Sequence, residues 1–299
     1  MNPAETKVSS KSIFKSRADS KNPDRYGWGV ILILVSAITF SSAGLFTKGV
    51  EASAWEVTFW RALFGGIFTI LWIFSRKTFK DNFFKMGYSG VAIAIIGAIG
   101  TAAFIQSFKL TTIANVSLIY AVSPLIAAFL AWVFIKERIS IRTMLGCIGA
   151  LIGVVIIVFG SLGKLNLYGD LLALVMTVVM ASIMVIYRKY PDTPAAGPAV
   201  LSSILLLPFM AYFGTPLEIS HSEIMILSIF GLLFAIASVC LAQGAKFVPA
   251  SQAALLSSLE TPLAPVFAFL LFAEIPNLQT VIGGALIMFV ILMSIKKES

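Results

Sequence analysis

Charged side chains are scarce in this sequence. Asp, Glu, Lys and Arg make up 12% of it, against roughly 25% in soluble domains, and that excludes an ordinary soluble globule. Histidine occurs once, as His221, so no imidazole cluster can hold a catalytic metal. No Gly-x-Ser-x-Gly elbow and no nucleotide-binding motif is found. An enzyme is therefore not expected, nor any metal or cofactor. The two cysteines, Cys147 and Cys240, both fall inside apolar stretches and read as small core hydrophobes rather than as a disulfide pair.

What is abundant is apolar sequence: 59% hydrophobic residues. Runs long enough to cross the roughly 30 Å hydrocarbon layer as helices cover 27–47, 86–108, 110–135, 143–163, 193–217, 224–245 and 275–295. Three further runs are short or interrupted: 55–74 holds Arg61, 171–187 is brief, and 250–272 holds Glu260. The expectation is an all-α integral membrane protein of ten transmembrane helices. Residues 1–26 are rich in Lys, Ser and Asp and read as a disordered tail with no cleavable signal. The net charge of +8 is topological. Eighteen Lys and Arg lie in alternate polar segments: the tail, 75–88, 136–142, 188–197, 244–250 and the C-terminal end. Only Lys48, Lys109 and Lys164 lie in the opposite set. Translocation disfavours such residues near helix ends, so both termini are expected in the cytoplasm. No nucleic-acid surface is implied.

The two halves resemble each other. Gln106-Ser-Phe-Lys109 recurs as Gln243-Gly-Ala-Lys246, Glu137 as Glu274, and Pro124 as Pro262. Gly149-Ala-Leu-Ile152 recurs as Gly284-Ala-Leu-Ile287, and Tyr26-Gly27 as Tyr168-Gly169. The shared order carries more weight than any single match. Five helices per repeat force opposite orientations on the two copies, and inverted repeats are a recurrent transporter design with the substrate between the halves.

At these residues the chain resembles a known family. Ser-Pro-Leu-Ile-Ala-Ala-Phe-Leu-Ala-Trp-Val-Phe-Ile-Lys-Glu over 123–137 and Thr-Pro-Leu-Ala-Pro-Val-Phe-Ala-Phe-Leu-Leu-Phe-Ala-Glu over 261–274 look like the fourth helix of EamA domains. Phe59-Trp-Arg-Ala-Leu63 is similar to that family's second-helix arginine motif. The resemblance implies the drug/metabolite transporter superfamily, with residues 27–163 as one EamA-like repeat (helices 1–5) and 164–299 as the other (helices 6–10). It further implies a central cavity lined mainly by helices 1, 3, 4, 6, 8 and 9. A bacterial EamA-type exporter of amino acids or similar metabolites follows, with a multidrug efflux carrier or a channel-like pore as alternatives. The second copy departs from the pattern, because its second helix has no counterpart of Arg61.

Glu260 falls near the bilayer centre, where a lipid-exposed carboxylate costs at least about 2.5–3.5 kcal/mol. Either it contacts a substrate amine or a coupled proton, or it makes a helix-packing hydrogen bond. Pro124, Pro262 and Pro265 remove backbone donors and would leave the carbonyls of Tyr120, Ser258 and Thr261 seeking other partners. Such interruptions are either hinges or plain bends. Tyr120, Ser123, Ser257, Ser258 and Thr261 beside them form one polar patch per half, expected on the substrate path together with Thr39. Asn115 and Gln252 either close the cavity at opposite faces or bond between helices. Arg61 reads as snorkelling to the outer interface or as structurally paired. Gly149-xxx-Gly153 reads as close packing within the fold, and the protein is expected to act as a monomer. With one intramembrane carboxylate and no relay, facilitated export of a neutral or zwitterionic molecule is favoured over obligatory proton coupling.

Overall fold

The structure is a computed structural model, and it describes residues 23–159, 166–272 and 278–295. Every element among these residues is helical. In chain order they are α1 (Pro23–Phe40), α2 (Ala43–Lys48), α3 (Ala54–Ser75), α4 (Phe79–Phe83), α5 (Gly87–Leu110), α6 (Ile113–Tyr120) and α7 (Ser123–Ile135). There follow α8 (Ile141–Phe159), α9 (Leu167–Lys189), α10 (Ala196–Phe213), α11 (His221–Gly244), α12 (Ala250–Ser257), α13 (Glu260–Phe272) and α14 (Leu278–Ile295). Among the described residues, seven segments are long and apolar enough to cross a bilayer: α1 with α2, α3, α5, α6 with α7, α9, α10 and α11. Shorter apolar helices lie over Ile141–Ile157 and Leu278–Ser294, within α8 and α14.

Two starts differ from the sequence expectation. The first helix begins at Pro23 rather than Gly27, because proline needs no amide partner in a first turn and Asp24 suits its dipole. Residues 1–22 of the expected tail lie outside the described residues. The run that looked brief over 171–187 is a helix over Leu167–Lys189. Asn166 caps it by accepting from the Gly169 amide at 3.0 Å, and Asp170 accepts from Thr111 Oγ1 at 2.8 Å. Polar residues that interrupted the hydropathy are thus consumed by a cap and an interhelical bond.

Three helices are broken in mid-course, at Ser41–Ser42, Ala121–Val122 and Ser258–Leu259. Pro124 sits in the first turn of α7 and Pro262 in that of α13. Neither is buried inside a continuous helix, because each starts a new segment where an amide is not needed. The Ser258 carbonyl, expected to lack a partner, accepts from the Thr261 amide at 3.1 Å, a tight 3₁₀-type closure.

The surface is inverted relative to a soluble protein. Ile31, Val35 and Ile38 of α1 are exposed, as are Leu145, Ile148 and Ile152 of α8; both sets recur at helical spacing. Small and hydroxyl-bearing residues such as Ser36, Thr58, Ser107 and Thr177 are buried between helices, the composition that lets helices approach in lipid. Thr58 and Thr177 return their hydroxyls to carbonyls four residues earlier, both at 2.7 Å.

The principal helix contacts are α8 with α14, α5 with α9 and α10, α3 with α10 and α11, α1 with α11 and α12, and α9 with α6 and α7. Gly149 and Gly153 of α8 serve the first of these, so their packing is within the fold. A Cβ on Gly153 would stand 2.6 Å from Ile287 Cγ1 and 2.8 Å from the Gly283 carbonyl oxygen. Backbone cannot give way as a side-chain tip can. Gly153→Val is therefore expected to destabilise by about 1–3 kcal/mol, read as a lowered melting temperature of the detergent-purified protein. An unchanged melting temperature would show that α8 and α14 do not meet there.

Candidate functional site

The helix ends are tied by polar networks. α7 stops at Lys136, whose φ of 54° places it in the left-handed region, and the Glu137 amide then returns to the Ala131 carbonyl at 3.2 Å. That turn aims Glu137 at two targets. Its Oε2 pairs with Arg188 Nε at 2.9 Å, and its Oε1 accepts from the Ala250 amide at 3.0 Å at the start of α12. Arg188 Nη1 also donates to the Lys246 carbonyl at 3.2 Å. One ion pair thus joins α7, α9 and the α11–α12 connection.

At the other end of the bundle Lys48 Nζ donates to the Thr111 carbonyl at 3.1 Å and Lys109 Nζ to that of Val50 at 2.9 Å. Glu223 Oε1 accepts from the amides of Glu51 and Ala52 at 2.7 and 3.0 Å.

Asn115 and Gln252 belong to these ends. Asn115 Nδ2 donates to Thr111 Oγ1 at 3.1 Å and is 3.5 Å from Asp170 Oδ1. Gln252 Nε2 donates to the Tyr26 hydroxyl at 2.7 Å and to the Ser294 carbonyl at 2.6 Å. Each therefore bonds between helices, and neither lines the two cavities described next.

Between the two ends lie two cavities. The larger, about 110 Å³, runs from Arg61, Tyr120 and Glu260 to Tyr187, Ala195 and Ala242. The smaller, about 40 Å³, runs toward Gly44, Phe108 and Ile113. Phe40, Phe104, Tyr120, Met176 and Glu260 border both, and so form the partition between them. The lining is largely apolar and aromatic, with the hydroxyls of Thr101, Ser202 and Ser238 on the larger side. Helices α3 and α10 line that cavity through Arg61 and Ser202, in addition to the helices implied by the family resemblance.

The structure places the expected residues unequally. Tyr120 and Glu260 stand in the partition and Thr261 borders the smaller cavity. Glu260 opens α13, where the helix dipole favours an anion. Ser257 and Ser258 instead give their hydroxyls to the carbonyls of Ala253 and Ala254, at 3.0 and 3.2 Å. Thr39 does the same toward Val35 at 2.8 Å. Ser123 is buried, and its hydroxyl has no partner among the described residues. Pro124 and Pro262 lie just beyond the breaks, and the surroundings of the Pro265 ring lie outside the described side chains.

Arg61 corrects the sequence reading. It does not snorkel, and among the described residues no carboxylate pairs with it: it is 2% exposed, and its guanidinium carbon lies 4.0 Å from the Phe234 ring centre and 5.6 Å from that of Phe230. The stem turns inward because the aromatic faces of α11 offer a cation–π seat. Sequence alone held one signal for it, the pair of phenylalanines one helical turn apart on α11, and nothing there said which face they showed.

Lys246, at the end nearest Tyr187, is buried, with its ammonium 5.9 Å from that ring. Burial pushes its pKa from 10.5 down to about 8, against a smaller upward pull from Asp192. Between those pH values the unfolded chain holds a proton that the folded chain has released, so stability rises with pH across that window. Lys246→Met is expected to be more stable than wild type at pH 7 by about 2–3 kcal/mol. The advantage should vanish above about pH 10.5. Melting curves of both proteins from pH 7 upward test this, and a gap that does not change with pH would refute it.

Comparison with known proteins agrees with this geometry. The profile of the EamA-like transporter family matches residues 27–159 and 167–296. An uncharacterized transporter, YyaM, of Bacillus subtilis (strain 168) is 26% identical over 249 residues, 78% of this chain and 81% of that one. Solute carrier family 35 member G1 of Homo sapiens is 24% identical over 285 residues, 87% of this chain and 76% of that one. A solved crystal structure shares the fold with a TM-score of 0.75 at 18% identity, covering 89% of this chain and 95% of its own. With family matches that together span nearly the whole chain, and with helices of membrane-crossing length around an internal cavity, the chain belongs to the EamA-like transporter family, multi-pass membrane transporters of the drug/metabolite transporter superfamily.

Proposed function

We propose that this protein exports small metabolites, amino acids foremost, across the bacterial inner membrane by alternating access, as a monomer. In this reading ten spans form two inverted five-helix repeats, 27–163 and 164–299, with both termini in the cytoplasm. One observation carries it: two cavities extend toward opposite ends of the bundle and meet at a shared wall of Phe40, Phe104, Tyr120, Met176 and Glu260. A channel needs a continuous path, whereas a carrier needs a barrier that changes sides.

The packing supports the inverted arrangement. Exchanging the first span with the sixth, the second with the seventh and so on converts the α1–α11 contact into α9–α5, and α3–α11 into α10–α5. The same exchange turns the bond from Asn115 toward Asp170 into that from Gln252 to Tyr26. The breaks after Tyr120 and before Glu260 fall in exchangeable spans, and each supplies a residue to the partition. Broken helices are where half-helix ends and unwound backbone meet substrate in transporters.

Single cysteines at Ser117, in the smaller cavity, and Ser202, in the larger, test the mechanism once Cys147 and Cys240 are replaced. Impermeant thiol reagents should reach each position from one face only, and L-leucine should shift the two labelling rates in opposite directions. Labelling of either position from both faces at once in every molecule would mean an open pore. The orientation is tested by fusions at the C-terminus. A fluorescent protein there should glow and an alkaline phosphatase should be inactive; an active phosphatase would reverse the topology.

A further inference from the structure

The guanidinium of Arg61 is satisfied on its faces and not on its edge. Phe234 and Phe230 meet it as aromatic rings, and such stacking leaves the in-plane N–H groups untouched. Nε and Nη2 are buried and have no hydrogen-bond partner. Among the described residues no carboxylate pairs with Arg61. Those two nitrogens form one side of the guanidinium fork, whose parallel N–H bonds match the two oxygens of a carboxylate. The side chain borders the larger cavity, so an acceptor can reach it there without crossing lipid.

We infer that Arg61 is the residue by which the cavity recognises the carboxylate of its substrate, and that the substrate is a small α-amino monocarboxylate with an apolar side chain. This rests on the cavity being the transport site. A buried cation without a partner draws in an anion, since its own desolvation is otherwise uncompensated. A phosphate dianion suits the site poorly: it calls for several cations, whereas Arg61 is accompanied on this lining by the carboxylate of Glu260. Glu260 complements an ammonium group instead, and the apolar, aromatic remainder takes an aliphatic body. Hydroxyls of Tyr120, Thr101 and Ser202 share the cavity and can orient the molecule without adding charge.

Four compounds of one carbon skeleton separate the two charges: L-leucine, L-leucinamide, 4-methylpentanoate and isopentylamine. Two readouts apply, uptake into proteoliposomes and thermal stabilisation of the detergent-purified full chain. In the wild type L-leucine should be transported and should stabilise best, and 4-methylpentanoate should stabilise more than isopentylamine. Arg61→Gln should reduce the response to both carboxylates about ten-fold or more and leave the response to the amine and the amide unchanged. Arg61→Lys should recover only part, because it keeps the charge and loses the fork. Glu260→Gln should show the reverse selectivity. Equal stabilisation of the wild type by L-leucinamide and L-leucine overturns the inference, whether or not the variants fold. So does an absence of response to either carboxylate, and so does a folded Arg61→Gln protein that handles L-leucine normally. None of these touches the carrier reading, which stands or falls with two-sided labelling at Ser117 and Ser202.

Discussion

Inside a bilayer a peptide group has no water to turn to, so a chain that leaves helical geometry there must find its hydrogen bonds in protein or in an enclosed aqueous space. That constraint organises this molecule. Most of the spans are continuous helices and show apolar side chains to lipid. The three broken ones, at Ser41–Ser42, Ala121–Val122 and Ser258–Leu259, lie against the cavities, with Phe40, Tyr120 and Glu260 flanking the breaks. Each break ends one helix and begins another. Its backbone groups close in short-range bonds such as that from the Thr261 amide to the Ser258 carbonyl, and Glu260, a polar group that lipid would not tolerate, sits at one of these ends.

The polar groups at the two ends of the bundle do a different task. Glu137 with Arg188 and Ala250, and Glu223 with the Glu51 and Ala52 amides, satisfy connections that would otherwise fray. Arg188 is almost fully buried while Glu137 retains some exposure, at 2% and 18%. Removing one partner of such a pair leaves a buried charge uncompensated and costs more than the pair itself contributes. Their bonds join helices that the inverted reading assigns to different repeats, so they bear on how the repeats hold together at each face.

The apolar helices were legible in the sequence, because hydropathy follows directly from the cost of moving charge into hydrocarbon. The breaks near Pro124 and Pro262 were legible for the same reason that proline is a helix starter. The break at Ser41–Ser42 was not. It has no proline, and rests on hydroxyls that return to the chain, as Ser42 Oγ does to the Thr39 carbonyl at 2.8 Å. Glu260 and Tyr120 stood out in the sequence as polar groups within apolar runs, and both border the cavities. Arg61 was visible as a residue and hidden as a geometry. In a helix apolar on nearly every side, no pattern tells which face meets neighbours and which meets lipid, and an arginine stem is long enough to satisfy either answer. Ser257 and Ser258 show a related limit: a helical hydroxyl can be absorbed by its own backbone, as both are, which composition cannot reveal.

The wall shared by the two cavities has an electrical meaning. Where water fills the space on both sides of a barrier, the membrane potential falls across the barrier rather than across the whole hydrocarbon thickness. In the carrier reading that barrier is the set of five side chains bordering both cavities, and the voltage is focused on them. A unit charge carried through the full drop exchanges about 2.3 kcal/mol per 100 mV, so a substrate with balanced charges passes without electrical work. A molecule carrying only a carboxylate is driven outward from a negatively charged interior, and one carrying only an ammonium is held back. In the carrier reading voltage then acts as a second filter on cargo, set by the net charge carried through the wall and independent of how tightly anything binds.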